Sequence, residues 1–212
     1  MSANGKLKIW GRKNSINVMK VLWACDELGL PFDRVDVGGQ FGGTQEASYL
    51  AMNPNARVPT IQDAGFTLWE SNVCVRYLAH KFGNPGLWPA DDHTRWLAEQ
   101  WMDWQQTTLN PELSPLFWQL IRTPAAQQDK AKIEAARQVT AQHIALLDAH
   151  LAKNDFVAGK DFSMGDIPVG CSVYRWLNFQ GIERPAAPNV EKWYQRLSER
   201  EGYRTHIMNP MT

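Results

Sequence analysis

The chain has 212 residues, of which 44% are hydrophobic, enough to build a buried core without disulfides or structural metals. Lysine plus arginine equals aspartate plus glutamate at 22 each, so the formal net charge is zero. This balance excludes a general electrostatic attraction to nucleic acid or to an anionic membrane. We therefore expect neither as a partner, and any anionic ligand must be bound by local groups.

The cysteines and the apolar segments indicate the cellular compartment. Cys25, Cys74 and Cys171 are far apart in the sequence, and each lies in an apolar, helix-like segment. This odd number of separated cysteines is typical of reduced, buried thiols. The N-terminus has no apolar signal-peptide core, and no run of about 18 apolar residues occurs. We expect a cytoplasmic protein, and because the histidines lack metal-ligand spacing, we expect no metal.

Strand-like and helix-like segments alternate over residues 1–83. Residues 7–10 form an apolar run, residues 18–28 carry a helical apolar stripe that ends at Gly29, and residues 32–37 alternate as a strand. This β-α-β unit predicts two parallel strands with a right-handed connection. The remaining predicted segments are a helix at 44–52, strands at 58–61 and 67–69, and a helix at 70–82. The order is that of a thioredoxin-like domain.

The sequence changes character after residue 83. Glycine, asparagine and proline interrupt the pattern, and residues 84–92 are predicted to be a linker. Strand-like segments are absent from residues 93–212, where helical periodicity dominates. The fold class is therefore α/β plus all-α, a thioredoxin-like domain followed by an all-helical domain. Helices are predicted at 94–110, 116–121, 125–151, 164–179 and 190–200.

Val58 and Pro59 stand between a turn and a strand. A cis peptide bond there would expose the Val58 backbone N–H and C=O at the sheet edge, where an extended peptide could pair with them. The alternative is a trans proline that only begins an edge strand.

Two helix starts carry polar residues. Ser71 is a good N-cap, and the helix N-terminus offers free N–H groups to a carboxylate, while Glu70 could hold an ammonium group. Simple capping is the alternative. Ser15 precedes the first helix, where its hydroxyl could stabilise a thiolate or cap the helix, and Asn17 is a rival for either role.

Together these residues resemble the cytosolic glutathione transferase superfamily. The resemblance covers nearly the whole chain and rests on the order and spacing of short segments: WGRKNSINVMKV (10–21), NPNARVP (53–59), LWES (68–71), RYL (76–78) and SMGDIP (163–168). It implies the thioredoxin-like and helical domains described above. It also implies glutathione as a co-substrate, no other cofactor, and a two-fold homodimer.

The resemblance implies roles for the residues of the first domain. Val58 would pair with the cysteinyl part of glutathione, with Pro59 in the cis form, and Glu70 and Ser71 would hold the γ-glutamyl end. Arg57 resembles the basic residue near the glycyl carboxylate, a position for which Gln40 and Phe41 are also candidates.

The resemblance also narrows the class. No tyrosine occurs among residues 1–48, which excludes tyrosine-type activation, and no cysteine lies near Ser15, which argues against classes that form mixed disulfides. The chain is similar to the bacterial theta-like or nu-like branches, in which serine or asparagine is the donor to the thiolate. Ser15 and Asn17 both remain candidates.

The helical domain is expected to supply the second substrate pocket. In the family its first long helix faces the sulfur, so Trp104, Thr108 and Trp118 are predicted walls for an aromatic or apolar electrophile. Core packing is the alternative for each. Ser163 and Asp166 match the family's capping motif, for which the expected role is stability rather than catalysis.

The predicted function is attack of the glutathione thiolate on a small hydrophobic or aromatic electrophile. Peroxide reduction, dehalogenation and reductive lyase chemistry would use the same site. A protein that binds glutathione or apolar ligands with little turnover, or a partner-docking module, is an alternative because fold does not fix function.

Overall fold

A four-stranded mixed sheet forms the centre of the N-terminal half. The computed structural model describes residues 6–83 and 86–212. The strand order is β2-β1-β3-β4, with β1 and β2 parallel and the other two pairs antiparallel. The parallel pair confirms the β-α-β prediction. The strands are β1 (Leu7–Trp10), β2 (Phe32–Val35), β3 (Thr60–Asp63) and β4 (Phe66–Trp69).

Three helices complete this half: α1 (Ile16–Glu27), α2 (Ala47–Leu50) and α3 (Ser71–Phe82). Strand β2 ends two residues before the predicted limit because the glycine-rich segment that follows turns the chain. There Gly38 and Gly39 have φ values of 83° and 59°, which are incompatible with a continuing strand. The helix predicted at 44–52 is shorter than expected, since Glu46 still has an extended backbone.

Six helices form the C-terminal part of the described chain. The helical segment predicted from residue 94 to 110 is not one regular α-helix, because a π turn (Gln105–Leu109) lies between α4 and α5. A second π turn (Trp118–Arg122) follows α5. The last helix was not predicted. The helices are α4 (Asp92–Trp104), α5 (Asn110–Phe117), α6 (Lys130–Leu151), α7 (Asp166–Asn178), α8 (Pro188–Ser198) and α9 (Glu201–His206). Residues 84 and 85 of the predicted linker lie outside the described residues.

Helix α1 packs against both halves of the molecule. Its Trp23 is fully buried and contacts the rings of Tyr203 on α9 and Phe162, with ring centroids 4.8 and 5.5 Å apart. Gly202 lets α9 approach closely, since a Cβ there would lie 2.8 Å from the Trp23 ring. This packing holds α1 against the C-terminal part of the molecule.

The predicted capping motif stabilises the start of α7. The buried Asp166 carboxylate accepts hydrogen bonds from the Ser163 N–H, the Val157 N–H and the Trp193 indole at 2.9–3.0 Å, and from the Ser163 hydroxyl at 3.3 Å. Burial raises the pKa of Asp166 to about 6, while these four donors oppose that shift. The motif therefore joins α7, α8 and the loop before α7, in keeping with the stabilising role expected from the sequence.

The described residues contain no helix long and apolar enough to cross a membrane. Within the same residues no group of histidine, cysteine and carboxylate side chains has the arrangement of a metal site. Cys25, Cys74 and Cys171 are buried and unpaired. Burial raises the pKa of Cys25 and of Cys171 to about 12, which keeps both thiols protonated at neutral pH.

Candidate functional site

A cleft of about 460 Å³ lies between the sheet and the helices. One side, which we call the sheet-side wall, consists of residues before β3 and around the starts of α1 and α3. The opposite side, the helical wall, comes from α5, the π turn after it and α7. The sheet-side wall includes Arg12, Ser15, Asn17, Arg57, Val58, Pro59, Glu70 and Ser71, and the helical wall consists of Asn110, Ser114, Phe117, Trp118, Arg122 and Arg175.

Ser15 is the last residue before α1 and lines the cleft. Its backbone is extended (φ −86°, ψ 123°), and its carbonyl accepts the Met19 N–H at 2.9 Å. The side chain does not cap the helix, and its hydroxyl makes no hydrogen bond to any residue that the structure describes. Ser15 therefore occupies the N-cap position, as the capping alternative predicted, but its hydroxyl does not cap the helix and is available to a ligand at the positive end of α1.

The Val58–Pro59 peptide bond is cis, which is one of the two forms that the sequence left open. The loop before it is fixed from inside, since the Tyr49 hydroxyl and the Asn53 amide both donate to the Arg57 carbonyl at 2.6 and 2.8 Å. The Val58 N–H and C=O have no hydrogen-bond partner among the described residues. An unpaired backbone edge therefore faces the cleft.

The start of α3 differs from the prediction by one position. Glu70, not Ser71, occupies the N-cap, because its carbonyl already accepts the Cys74 N–H at 2.8 Å, and its φ is +68°. Ser71 is the first helical residue, and its hydroxyl donates to the Asn17 side-chain oxygen at 3.3 Å. The exposed Glu70 carboxylate lines the cleft beside it.

A buried lysine lies directly beneath Ser71. Lys20 is 3% exposed and donates to Ser71 Oγ, Asn72 Oδ1 and Gln105 Oε1 at 3.4, 3.1 and 3.2 Å. Burial lowers the pKa of Lys20 to about 8. Gln105 in turn donates to Ser172 on α7 at 2.9 Å. This network connects α1, α3 and the helical domain under the cleft. Its one weak signal in the sequence is a lysine inside an apolar helical stripe.

The structure brings only one of the three predicted electrophile residues to the cleft. Trp118 lines it and is 62% exposed. Trp104 does not, because its ring packs against Trp101 and His143, with centroids 4.9 and 6.2 Å away. Thr108 lies in the π turn and is also outside the cleft lining. The extra residue in a π turn rotates the positions from Gln105 onward, so a regular helical projection misplaces Thr108. Trp104 lies before the turn, and its packing against Trp101 and His143 is the alternative that the sequence left open for it.

Arg12 on the sheet-side wall and Arg122 and Arg175 on the helical wall were not assigned a role from the sequence. Arg175 and Arg122 lie over the Phe117 ring at 3.9 and 5.5 Å from its centroid. Burial, together with repulsion from Arg122 and Arg12, lowers the pKa of Arg175 to about 10. Burial and the charge of Arg122 likewise lower the pKa of Arg12. The cleft thus concentrates positive charge in a chain of zero net charge.

Fold and cleft define a thioredoxin-like domain joined to a helical domain, the architecture of thiol-dependent transferases. Comparison with known proteins agrees. Residues 5–80 match the family profile "Glutathione S-transferase, N-terminal domain", and residues 109–201 match "Glutathione S-transferase, C-terminal domain".

Relatives match over the whole length of the chain. It is 40% identical to glutathione S-transferase GstB of Escherichia coli over 97% of this chain and 100% of that protein. It is 30% identical to glutathione S-transferase 3 of Zea mays over 95% of this chain and 93% of that protein. A solved theta-class glutathione S-transferase from Xanthomonas axonopodis pv. citri, with glutathione bound, superposes with a TM-score of 0.94 at 42% identity, covering 99% of this chain and 100% of that one. The chain belongs to the glutathione S-transferase family.

Proposed function

We propose that the protein activates the thiol of glutathione in this cleft for attack on a small hydrophobic or aromatic electrophile. One observation carries the proposal. The cleft presents together a serine hydroxyl at the N-terminus of α1, the Val58 backbone edge, and the N-terminus of α3, and neither the hydroxyl nor the edge has a hydrogen-bond partner in residues 6–83 and 86–212. These groups match a thiol, an extended peptide backbone and a carboxylate in one small ligand.

The tripeptide is proposed to lie across the sheet-side wall. The γ-glutamyl carboxylate binds at Ser71 and the N-terminus of α3, and its ammonium pairs with Glu70. The cysteinyl backbone pairs with Val58, and Arg57 binds the glycyl carboxylate. Gln40 is a weaker candidate for that carboxylate, since it lines a neighbouring groove with Phe41 instead of this cleft.

Ser15 is proposed as the donor to the thiolate. Its hydroxyl makes no hydrogen bond within the described chain and sits where the helix dipole favours negative charge. Asn17 is exposed, and its side-chain oxygen accepts a hydrogen bond from Ser71, so its position serves the γ-glutamyl end. A thiol with a pKa of about 8.5 is mostly protonated at neutral pH, and a donated hydrogen bond favours its ionised form.

The reaction we propose is a nucleophilic substitution. The sulfur forms a bond to the electrophilic carbon as the bond to the leaving group breaks, and the leaving group departs with the electron pair. The exposed ring of Trp118 on the helical wall supplies apolar surface for an aromatic electrophile, next to the largely buried Phe117. Holding both reactants in one cleft supplies the proximity that accelerates the step.

The test is turnover of 4-nitrobenzyl chloride by wild type, Ser15→Ala and Asn17→Ala. We expect a glutathione-dependent rate well above the uncatalysed reaction that falls about a hundredfold in Ser15→Ala and less than tenfold in Asn17→Ala, because one catalytic donor is worth about two orders of magnitude. Tight glutathione binding without turnover would instead support a ligand-binding protein.

We also propose a homodimer. Phe66, Val73 and Trp96 are 52, 40 and 72% exposed, and an ion pair from Arg76 to Glu99 brings the α3 and α4 faces together. Exposed apolar side chains around a polar pair are typical of a subunit interface.

The mass in solution, measured by light scattering, tests this interface. We expect a dimer for wild type and a monomer for Trp96→Glu. Trp118→Glu is the matched control, since this exposed tryptophan lies in the cleft and the variant stays dimeric. A monomeric wild type contradicts the proposal.

We propose a reducing, cytoplasmic location as well. Three buried, unpaired cysteines support it, because such thiols persist where disulfides do not form. Fractionation of cells followed by detection of the protein would test this location, and a secreted or membrane fraction would contradict it.

A further inference from the structure

The arginines of this protein fall into two groups. The eight arginines outside the cleft each donate to a carboxylate or a backbone carbonyl: Arg34, Arg76, Arg95, Arg137, Arg184, Arg196, Arg200 and Arg204. Arg12, Arg57, Arg122 and Arg175, which line the cleft, make no side-chain hydrogen bond and no ion pair with the described residues. Guanidinium groups left without a protein partner in a cleft are available to an anionic ligand.

Three of these four arginines have no role in the proposed binding of glutathione. Arg122 and Arg175 flank the Phe117 ring on the helical wall. Arg12 lines the same cleft from the sheet-side wall. Its Nη1 is buried and has no hydrogen-bond partner within the described chain. A buried donor without an acceptor is costly unless a ligand supplies one.

The local backbone makes room for Arg12. At Gly39, where φ is +59°, a Cβ would lie 2.5 Å from the Arg12 Nε. The guanidinium therefore passes over a position that only glycine fits without displacing it. The arginine is held in place by its surroundings although nothing in the described structure binds its charge.

The proposed binding of glutathione leaves three cleft arginines without an anionic partner. Among the residues that line the cleft, Glu70 is the only carboxylate, and it is assigned to the ammonium group. Of the two carboxylates of the tripeptide, one is assigned to the N-terminus of α3 and the other to Arg57. Arg12, Arg122 and Arg175 then remain around the apolar surface assigned to the electrophile.

We propose that Arg122 and Arg175, with Arg12 across the cleft, bind a carboxylate of the second substrate, so that the enzyme prefers an anionic aromatic electrophile to a neutral one. This inference rests on the proposed function and names the substrate class of the same site. The planar guanidinium fork matches a carboxylate, and an arene attached to it can lie against Phe117 and Trp118.

The chemistry can be written for 4-(chloromethyl)benzoate. The glutathione sulfur, already ionised, attacks the benzylic carbon, the C–S bond forms as the C–Cl bond breaks, and chloride leaves with the electron pair. The carboxylate keeps its charge throughout and serves only to bind and orient the ring. Because no electrons enter or leave the system, no further reactant is needed.

The experiment compares 4-(chloromethyl)benzoate with 4-(chloromethyl)benzamide, which has the same shape and leaving group without the charge. The kcat/KM of each is measured at saturating glutathione and divided by its uncatalysed rate constant. We expect wild type to prefer the benzoate by about tenfold or more, the usual effect of a charge-assisted hydrogen bond. Arg122→Gln and Arg175→Gln should lower this preference toward unity while the benzamide rate changes less than about threefold.

Arg57→Gln is the matched control, because it removes an arginine of the same cleft assigned to glutathione. It should raise the KM for glutathione and leave the benzoate preference unchanged. Arg122 is exposed, so Arg122→Gln keeps the comparison valid even if Arg175→Gln, whose parent side chain is half-buried, fails to fold.

Each alternative outcome has a distinct meaning. Equal turnover of both compounds overturns the inference and leaves conjugation intact. Equal loss of both rates in the arginine variants, with a raised KM for glutathione, also overturns it, because the arginines would then bind the tripeptide. Turnover of neither of these compounds nor 4-nitrobenzyl chloride contradicts the proposed function itself.

Discussion

The two walls of the cleft differ in how they are built. The sheet-side wall consists of turns, an unpaired backbone edge and two helix N-termini, held by local hydrogen bonds such as those from Tyr49 and Asn53 to the Arg57 carbonyl. The helical wall consists of side chains whose direction depends on two π turns and on how α5 packs with α7. The sheet-side wall can be predicted from sequence because its turns and helix starts are encoded by neighbouring residues. The helical wall cannot, because the directions of its side chains depend on contacts between residues far apart in the sequence.

The largest loss of stability is expected at Asp166, which lies outside both walls of the cleft. Asp166→Ala leaves the Val157 N–H, the Ser163 N–H and the Trp193 indole buried without an acceptor. We expect a loss of about 4 kcal/mol in the free energy of unfolding, measured with urea. Ser163→Ala, which removes one hydroxyl, should cost about 1 kcal/mol. A loss below 1 kcal/mol for Asp166→Ala would contradict the buried network.

The buried Lys20 below the cleft should make the free energy of unfolding depend on pH. Burial lowers the pKa of Lys20 to about 8, whereas an unfolded lysine keeps its proton to about pH 10.4. Between these values the unfolded state binds more protons, so the Lys20 contribution to stability increases with pH.

The free energy of unfolding of wild type, relative to Lys20→Met, should therefore rise by about 3 kcal/mol between pH 7.5 and about 10.5. Ionisation of the unfolded cysteines occurs in the same window but is common to both proteins. A difference that is constant with pH would show that Lys20 is not desolvated.

The junction of the walls can be tested at Gly11. A Cβ there would lie 2.5 Å from Val18 Cγ2 and 3.2 Å from Val58 Cβ, so Gly11→Ala must displace the Val18 side chain and push against Val58. We expect a loss of about 2 kcal/mol in stability and weaker glutathione binding by calorimetry.

Gly29→Ala is the control for this variant. Gly29 has a φ of +61° and open space around its Cα, so the alanine costs about 1 kcal/mol without reaching the cleft. If both variants bind glutathione as wild type does, the Val58 edge is not part of the site.

The smallest expected changes in stability and kinetics distinguish Trp104 from Trp118, which the sequence analysis both assigned to the electrophile pocket. Trp104→Ala removes a ring packed against Trp101 and His143, so we expect a loss of about 2 kcal/mol in stability and little change in kcat/KM. Trp118→Ala removes an exposed ring of the helical wall, and we expect stability within about 0.5 kcal/mol of wild type and a several-fold higher KM for an aromatic electrophile. The reverse pattern would restore Trp104 as a substrate contact.

Much of the fold followed from local signals in the sequence. The parallel β1–β2 pair, the hairpin of β3 and β4 and the start of α3 near Glu70 were predicted from periodicity and turn residues. Helix α9 was missed, because its six residues are too short for a periodic apolar stripe to be recognised. The order of the motifs, more than any single one, indicated the family.

The candidate site was predicted unevenly. Ser15, Val58 and Ser71 share the cleft because turns and helix starts fix their positions. Arg122 and Arg175 were missed because nothing in a linear pattern shows that an arginine lacks a carboxylate partner in the fold.

The most direct test of the central claim is a pH titration of the ultraviolet thiolate absorbance of bound glutathione in wild type, Ser15→Ala and Asn17→Ala. We predict a bound thiol pKa about two units below that of free glutathione in wild type, near its free value in Ser15→Ala, and still lowered in Asn17→Ala. A thiol pKa that is lowered equally in wild type and Ser15→Ala, or not lowered in wild type at all, would contradict the assignment of Ser15 as the group that activates glutathione.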